Sequence, residues 1–306
     1  MTMFLVMVIL LGWLFSVVWQ APEILYFAVG LSFIMNFSAY WFSDKVALAM
    51  SGAKIASRNS YLELFRSIEN LSITAGLPMP KIYIIPGQQI NAFATGRNPK
   101  HAVIAVTEGA LAKLDKNELE GVLAHELSHI GNRDILISSV VVVLSGLIAI
   151  LADWFLRMSF WGNRDNDNRG GAVLLVVGLV AAILVPIAAT MVRLAISRKR
   201  EFLADVSGAL LTRYPEGLAS ALEKIGREEI PLRHAHNATA HLYISNPFNI
   251  DHNPDAKRSG LRQSSQGVLG RPLREPERRS WFTKLFMTHP PIHERVKILR
   301  GMDARS

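Results

Sequence analysis

The 306-residue sequence contains no cysteine and is poor in charged residues. The absence of cysteine excludes a disulfide framework and a thiolate metal site, so any metal must be bound through His, Asp or Glu. Only 19% of the residues are charged, against roughly 25% in an average soluble domain, whereas 50% are hydrophobic. This composition favours a membrane protein.

Acidic residues are the minority among the charges, with 25 against 33 Lys and Arg, and the formal net charge is +8. A basic balance is typical both of nucleic-acid-binding proteins and of membrane proteins whose cytoplasmic loops are rich in Lys and Arg. Since no nucleic-acid-binding motif accompanies the charge, we favour the membrane interpretation and expect no nucleic-acid partner.

Four apolar stretches, at 3–19, 24–42, 135–155 and 172–194, are each close to the ~20 residues that span a bilayer core. Only residues 20–23 join the first two, which predicts a transmembrane hairpin. The first stretch lacks a basic leader, so we interpret it as a retained anchor and not as a signal peptide. For the third and fourth stretches, the alternative is a pair of long buried helices in a soluble core.

The distribution of Lys and Arg predicts the orientation. Residues 43–134 hold ten and residues 195–306 hold nineteen, while loops 20–23 and 156–171 hold none and three. The positive-inside rule therefore predicts that both large polar regions face the cytoplasm. We divide the chain into an N-terminal transmembrane hairpin (1–43), a first cytoplasmic part (44–134), a second transmembrane pair (135–194) and a second cytoplasmic part (195–306).

The polar regions predict a small sheet followed by helices. β-branched and aromatic residues indicate strands at 81–85, 91–95 and 101–107, and apolar periodicity indicates helices at 58–75, 116–131 and 215–227. Asp115 and Glu118 have the spacing of a capping box, which predicts where the helix of residues 116–131 begins.

That helix carries the sequence His125-Glu126-Leu127-Ser128-His129, an H-E-x-x-H motif. Two histidines four residues apart lie on one face of a helix and can bind one metal ion, while Glu126 can reach a water bound there. The motif is the minimal apparatus of a zinc peptidase. The extended form with a third histidine is absent, because Asn132 and Ile135 occupy its glycine and histidine positions.

A third ligand must therefore come from elsewhere in the chain. Glu201 is the preferred candidate, because Asp205 follows it at i+4 and the two carboxylates share a helix face. One can bind the metal while the other accepts the free N–H of a ligand histidine. The alternative ligands form a loose histidine group: His234, His236 and His241.

Several sequences together carry a resemblance to a known family: N-A-F-A-T-G at 91–96, H-E-L-S-H at 125–129, S-R-K-R-E-F-L-A-D at 197–205 and H-P-P-I-H-E-R at 289–295. With the 2 + 2 arrangement of apolar stretches, nearly the whole chain resembles the HtpX-type membrane zinc metallopeptidases, relatives of the CAAX prenyl proteases.

The resemblance implies a mainly α integral membrane protein with four transmembrane helices and a cytoplasmic gluzincin-type α+β zinc peptidase domain. It implies one Zn²⁺ per chain, with Glu201 as third ligand and Asp205 supporting a zinc histidine. It also implies a bacterial cytoplasmic (inner) membrane location, cleavage of damaged or misfolded membrane proteins, and self-cleavage.

The remaining site predictions concern catalysis and substrate binding. We predict Glu126 as general base and His289 as a donor to the oxyanion, with Arg295 orienting His289. The alternative for His289 is a cap in a proline-rich turn. Asn91 is predicted to clamp the substrate, or merely to cap a turn, and strand 101–107 is predicted to be a sheet edge to which an extended substrate adds.

Two other functions compete with quality-control proteolysis. One is a CAAX-type prenyl peptidase, although such relatives usually have more membrane spans. The other is a non-catalytic metal-binding membrane scaffold, which would leave the catalytic groups of the motif idle.

Overall fold

The structure is a computed structural model. It describes residues 2–18, 20–141, 197–228, 230, 232, 239, 242–245, 247 and 290–303. Its helices are α1 (Thr2–Val18), α2 (Glu23–Met50), α3 (Leu62–Ala75), α4 (Glu108–Lys113), α5 (Lys116–Gly131), α6 (Arg198–Thr212), α7 (Pro215–Arg227) and α8 (Ile292–Asp303). Residues 134–141 are also helical. Its strands are β1 (Lys54–Ile55), β2 (Lys81–Ile85), β3 (Ala92–Gly96) and β4 (Ala102–Thr107).

The four strands form one mixed sheet in the order β1-β2-β4-β3. β2 and β4 are parallel, and β3 is antiparallel to β4, with Ala94 opposite Ile104. The three longer strands confirm those predicted from the sequence, and the two-residue β1 was not foreseen. β4 has partners on both sides, so its predicted role as a sheet edge is wrong. The edge next to it is formed by β3. The chain turns back from β3 into β4 through a short connection at Pro99–His101.

The helices enclose a hydrophobic core between themselves and one face of the sheet. α5 lies at the centre of this core and packs against α3, α6, α7 and β3. Its apolar side contributes Val122, Leu123 and Ile130, all buried as predicted. Leu119 is only partly buried at the edge of this core. α3 ends at Gly76, which adopts the left-handed conformation (φ 65°) that favours glycine after a helix.

α1 and α2 form the predicted N-terminal hairpin, whose helices approach closely where Gly12 faces Ala28. α2 extends beyond the predicted apolar stretch, and its last turns bury Ala47 and Leu48 against the second face of the sheet. Within the described residues, α2 is the one helix long and apolar enough to cross a membrane. Most of the third apolar stretch and all of the fourth lie outside the described residues, so the prediction of four spans stays a prediction.

Candidate metal centre

The two histidines of the motif are placed by helix α5, which begins at a complete capping box. Asp115 accepts a hydrogen bond at 2.9 Å from the backbone N–H of Glu118, whose carboxylate accepts one at 2.8 Å from the backbone N–H of Asp115. This confirms the predicted beginning of α5, whose later turns pass through the core. His125 and Glu126 are consequently 1% and 2% exposed, which is unusual for such polar side chains.

The Nε2 atoms of His125 and His129 converge on one position. Their Nε2 atoms lie 3.2 Å apart, and the two rings are perpendicular, with centroids 4.7 Å apart. A single turn of helix separates the residues, so the convergence follows from the i, i+4 spacing.

Glu201 reaches the same point from α6. Its carboxylate oxygens lie 3.5 Å from His129 Nε2 and 3.9 Å from His125 Nε2. α6 can lie this close to α5 because residue 208 is glycine. A methyl group at position 208 would come within 2.9 Å of the backbone nitrogen of His125.

The three side chains fit a metal ion. His125, His129 and Glu201 each offer one ligand atom, and these atoms all lie within 4.8 Å of one another. In a tetrahedral zinc site, ligand atoms about 2.0–2.2 Å from the metal are about 3.3–3.5 Å from each other. His129 Nε2 lies 3.2 Å from His125 Nε2 and 3.5 Å from Glu201 Oε1, close to that arrangement, and the other oxygen, Glu201 Oε2, lies 3.9 Å from His125 Nε2. Two imidazoles and a carboxylate are a usual donor set of catalytic zinc sites.

Asp205 lies behind His125, with Oδ1 at 2.9 Å from Nδ1. The two atoms are in contact, although the ring N–H is not well aligned for a hydrogen bond. Burial acts to raise the pKa of the Asp205 carboxyl, but the guanidinium of Arg295 and the contact with His125 outweigh burial and hold this pKa well below its usual range. A permanent negative charge therefore faces the far side of one candidate ligand.

Asp134 has the same position behind the other histidine, with Oδ2 at 3.2 Å from His129 Nδ1. Burial acts to lower the pKa of His129, yet Asp134, Glu201 and Glu126 together raise this pKa to about 9. The three carboxylates thus stabilise a positive charge at the His129 ring. Sequence reasoning did not predict Asp134. The available signal was an acidic residue directly between the motif helix and an apolar stretch.

Glu126 lies beside the candidate ligands without being one of them. Burial raises the pKa of Glu126 to about 7, and the negative charge of Glu201 adds to the rise, while His129 and the backbone N–H of Ala94 on β3 oppose it. A carboxyl group with a pKa near neutrality is well suited to accept a proton and then release it.

Asn91 precedes β3, and its side chain forms hydrogen bonds within the protein. Its Nδ2 donates to the carbonyl of Ser245 at 3.0 Å, and its Oδ1 accepts from the backbone N–H of Ala92 at 3.1 Å. The same segment joins the outer side of β3, where the Ile244 N–H donates to the carbonyl of Ala92 at 3.0 Å. These contacts anchor the segment of residues 244–245 to Asn91, and both predicted roles, substrate clamping and turn capping, remain predictions.

Arg295 is fully buried and pairs with Asp205, a contact that no local sequence pattern predicts. Its predicted role was to orient His289, which lies outside the described residues. The three alternative ligands also lie outside the described residues: His234, His236 and His241.

Comparison with known proteins identifies the family. Residues 58–303 match the family described as Peptidase family M48, a stretch that includes all three candidate ligands and Glu126. The chain belongs to peptidase family M48. It is a metallopeptidase, and its substrates are proteins or peptides.

Relatives of similar length support the same assignment. A "Protease HtpX homolog" from Thermoanaerobacter pseudethanolicus is 43% identical over 95% of this chain and 87% of that protein. Another from Pyrococcus furiosus is 44% identical over 92% of this chain and 86% of that protein. The resemblance to HtpX-type peptidases is therefore confirmed.

Among solved structures, the crystal structure of S. mikatae Ste24p covers 90% of this chain and 57% of its own, with 19% identity and a TM-score of 0.49.

Proposed function

We propose that this M48 peptidase is a membrane-bound zinc endopeptidase that cleaves damaged or misfolded membrane proteins. The observation that carries the proposal is the convergence of His125 Nε2, His129 Nε2 and the Glu201 carboxylate beside the buried Glu126. Nothing among the described residues favours the prenyl peptidase or the scaffold, and both are outcomes of the test below.

The chain's own residues have distinct roles in this mechanism. His125, His129 and Glu201 would hold a zinc ion, which would supply a Lewis acid for the scissile carbonyl and lower the pKa of a bound water. Glu126 accepts the proton of the attacking water and transfers it to the departing amine. Asp205 holds the His125 ring, so that its Nε2 stays aimed at the ligand point.

Two further roles are proposed for residues near the substrate. His289 donates a hydrogen bond to the oxyanion formed at the scissile carbonyl. Asn91 and the outer side of β3 bind the substrate backbone. For this to happen, residues 244–245 must break their hydrogen bonds with Ala92 and Asn91.

The surface of α2 supports a membrane location. Large apolar side chains on this helix are exposed: Tyr26, Phe27, Phe33, Ile34 and Phe37 are 60–75% accessible. A contiguous surface of this kind needs an apolar environment. We propose four spans in two pairs, within 1–43 and 135–194, with the peptidase parts on the cytoplasmic side of a bacterial inner membrane.

The proximity of metal and membrane supports a membrane-protein substrate. Asp134, in contact with His129, directly precedes the third apolar stretch. α2 carries the chain from the first hairpin onto the sheet that flanks Glu126. A substrate segment leaving the bilayer would therefore meet the catalytic groups within a short distance.

Metal content and proteolysis of the detergent-purified full-length protein test the chemistry. We expect about one zinc per chain in the wild type and in Glu126→Ala, and loss of zinc in Glu201→Ala. Both variants should fail to cleave casein and an unfolded membrane protein. Zinc without cleavage by the wild type would favour the scaffold, and cleavage restricted to a prenylated peptide would favour the prenyl peptidase. Retained cleavage by Glu126→Ala would overturn the mechanism.

The absence of cysteine makes the orientation easy to test. Single cysteines replace Ser57 in the first peptidase part and Ser159 in the short loop 156–171. In intact bacterial cells, a membrane-impermeant maleimide should label Ser159→Cys and leave Ser57→Cys unlabelled until the cells are lysed. The reverse pattern would place the peptidase parts outside.

A further inference from the structure

The ring of His129 is contacted by carboxylates at both nitrogens. Nε2 faces Glu201 at 3.5 Å, and Nδ1 faces Asp134 Oδ2 at 3.2 Å. An imidazole that binds a metal through one nitrogen usually donates its other N–H to a carboxylate, which fixes the tautomer and the direction of the ring. Asp134 lies where such a partner of His129 is required, just as Asp205 lies behind His125.

A special backbone turn puts Asp134 there. In a continued helix, position 134 would lie about 140° around the axis from His129, facing away from it. Instead α5 ends at Gly131, and Arg133 adopts the left-handed conformation with φ 61°, which a non-glycine residue seldom takes. This turn departs from the helical path, and the Asp134 side chain reaches the ring of His129 in the last turns of α5.

A cation holds Asp134 from its other side. Arg200 Nη1 lies 3.8 Å from Asp134 Oδ1, and the side chains are only 23% and 12% exposed, so that screening by solvent is reduced. Arg200 directly precedes Glu201 in the first turn of α6. Two consecutive residues of α6 thus act on one ring: Glu201 directly at Nε2, and Arg200 through Asp134 at Nδ1.

Asp134 and Arg200 also flank the stretch 135–194 in the sequence. Their ion pair joins the chain segments on either side of that stretch at the point where His129 and Glu201 meet. This ion pair, next to the site, thereby fixes the position of His129 relative to Glu201.

We propose that Asp134 is a positioning residue for the metal ligand His129 and that Arg200 fixes Asp134 in this role. The inference rests on the proposed metal site of His125, His129 and Glu201. It predicts that removing the Asp134 carboxylate weakens metal binding without unfolding the domain.

The test measures zinc affinity of the full-length protein in detergent, by competition with a chromophoric chelator. Asp134→Ala should lower the affinity by about 10- to 100-fold, the usual loss when the outer partner of a ligand histidine is removed. Asp134→Asn keeps the size and one acceptor oxygen, so its loss should be smaller. The absorption spectrum of the cobalt-substituted protein should change in both variants, because the His129 ring is free to turn.

Asp115→Ala is the matched control, because it removes an aspartate that lies next to the opposite end of α5. It should lower the melting temperature and leave zinc affinity and the cobalt spectrum unchanged. If Asp134→Ala does not fold, the nearly isosteric Asp134→Asn is compared with wild type and Asp115→Ala instead. Wild-type affinity and an unchanged spectrum in Asp134→Asn and Asp134→Ala would overturn the proposal, as would equal affinity losses in Asp134→Ala and Asp115→Ala.

Arg200 is tested by a double-mutant cycle. Arg200→Met should weaken zinc binding less than Asp134→Ala does, and the double variant should be no weaker than Asp134→Ala alone, because Arg200 acts through Asp134. Additive losses would remove Arg200 from the proposal. A wild type without zinc would defeat the proposed function itself, whereas zinc loss in Glu201→Ala together with intact affinity in Asp134→Ala would defeat only this inference.

Discussion

Arg295 binds both carboxylate oxygens of Asp205, although 90 residues separate the two in the sequence. Its Nε donates to Oδ2 at 2.8 Å and its Nη2 to Oδ1 at 2.6 Å, and both side chains are fully buried. A third nitrogen, Nη1, donates to the carbonyl of Ile244 at 3.3 Å and lies 3.9 Å from Glu201. α8 is thereby attached to α6 directly behind the candidate ligands.

Arg295→Met should destabilise the domain strongly. The substitution leaves the buried Asp205 carboxylate without its guanidinium partner, a defect that costs about 3–5 kcal/mol in other proteins. Arg295→Lys should recover little, because an ammonium group cannot form the two parallel bonds of a guanidinium. The free energy of unfolding, measured by denaturant titration of the metal-free protein in detergent, checks both.

The double variant Asp205→Asn/Arg295→Met is the control for that interpretation. Removing the charge of Asp205 together with Arg295 eliminates the unpaired ion, so the double variant should be more stable than Arg295→Met alone. If it is instead less stable by the sum of the two single losses, the pair does not act as a unit.

Gly208→Ala should weaken metal binding. The added methyl group would lie 2.9 Å from the backbone nitrogen of His125, and α6 must move away from α5 to relieve the contact. Because Glu201 lies on α6, the move separates it from His125 and His129. Chelator competition should show a loss of zinc affinity.

Gly301→Ala on α8 is the matched control, since a methyl group there meets no atom within 4 Å. Alanine at an unobstructed helical position stabilises by about 0.4–1 kcal/mol, and zinc affinity should not change. Equal affinity in wild type, Gly208→Ala and Gly301→Ala would show that helix spacing does not limit the site.

Glu118→Gln should lower stability at neutral pH but not in acid. Burial acts to raise the pKa of the Glu118 carboxyl, but hydrogen bonds from Lys224, Ser220 and the backbone of Asp115 outweigh burial and leave this pKa below its ordinary value. A carboxylate with a lowered pKa contributes stability above its unfolded-state pKa of about 4.5, and that contribution disappears as pH falls through the lower folded-state pKa.

We therefore expect wild type to exceed Glu118→Gln by about 1–2 kcal/mol at pH 7, with the difference shrinking below about pH 4.5. Glu63→Gln on the exposed side of α3 serves as control and should change stability by under about 0.5 kcal/mol. A difference between wild type and Glu118→Gln that is constant from pH 7 to pH 4 would contradict the assigned network.

Local rules in the sequence predicted α5 and its candidate ligands, because each depends on neighbours within a few residues. The capping box fixes Lys116 as the first helical residue, and one turn of helix brings His125 and His129 together. The i, i+4 spacing likewise puts Glu201 and Asp205 on one face. Within the described residues, these features are predictable without any tertiary contact.

Contacts that depend on tertiary structure were not predictable in this way. Strand order is set by long-range pairing, so β4 was wrongly expected at the edge when β3 occupies it. The partner of Asp205 comes from the end of the chain, and no local pattern links it to Arg295. Asp134 reaches His129 only because Arg133 adopts a conformation that its residue type does not favour.

Asn91→Ala distinguishes the two roles considered for that residue. If Asn91 chiefly anchors the chain, its loss removes the hydrogen bonds to Ser245, and the amides of Ile244 and Ser245 should exchange with solvent faster. If Asn91 binds substrate, KM should rise while exchange at these amides stays at the wild-type rate. Hydrogen exchange and peptide cleavage measured on the same preparation separate the outcomes, and no change in either would exclude both roles.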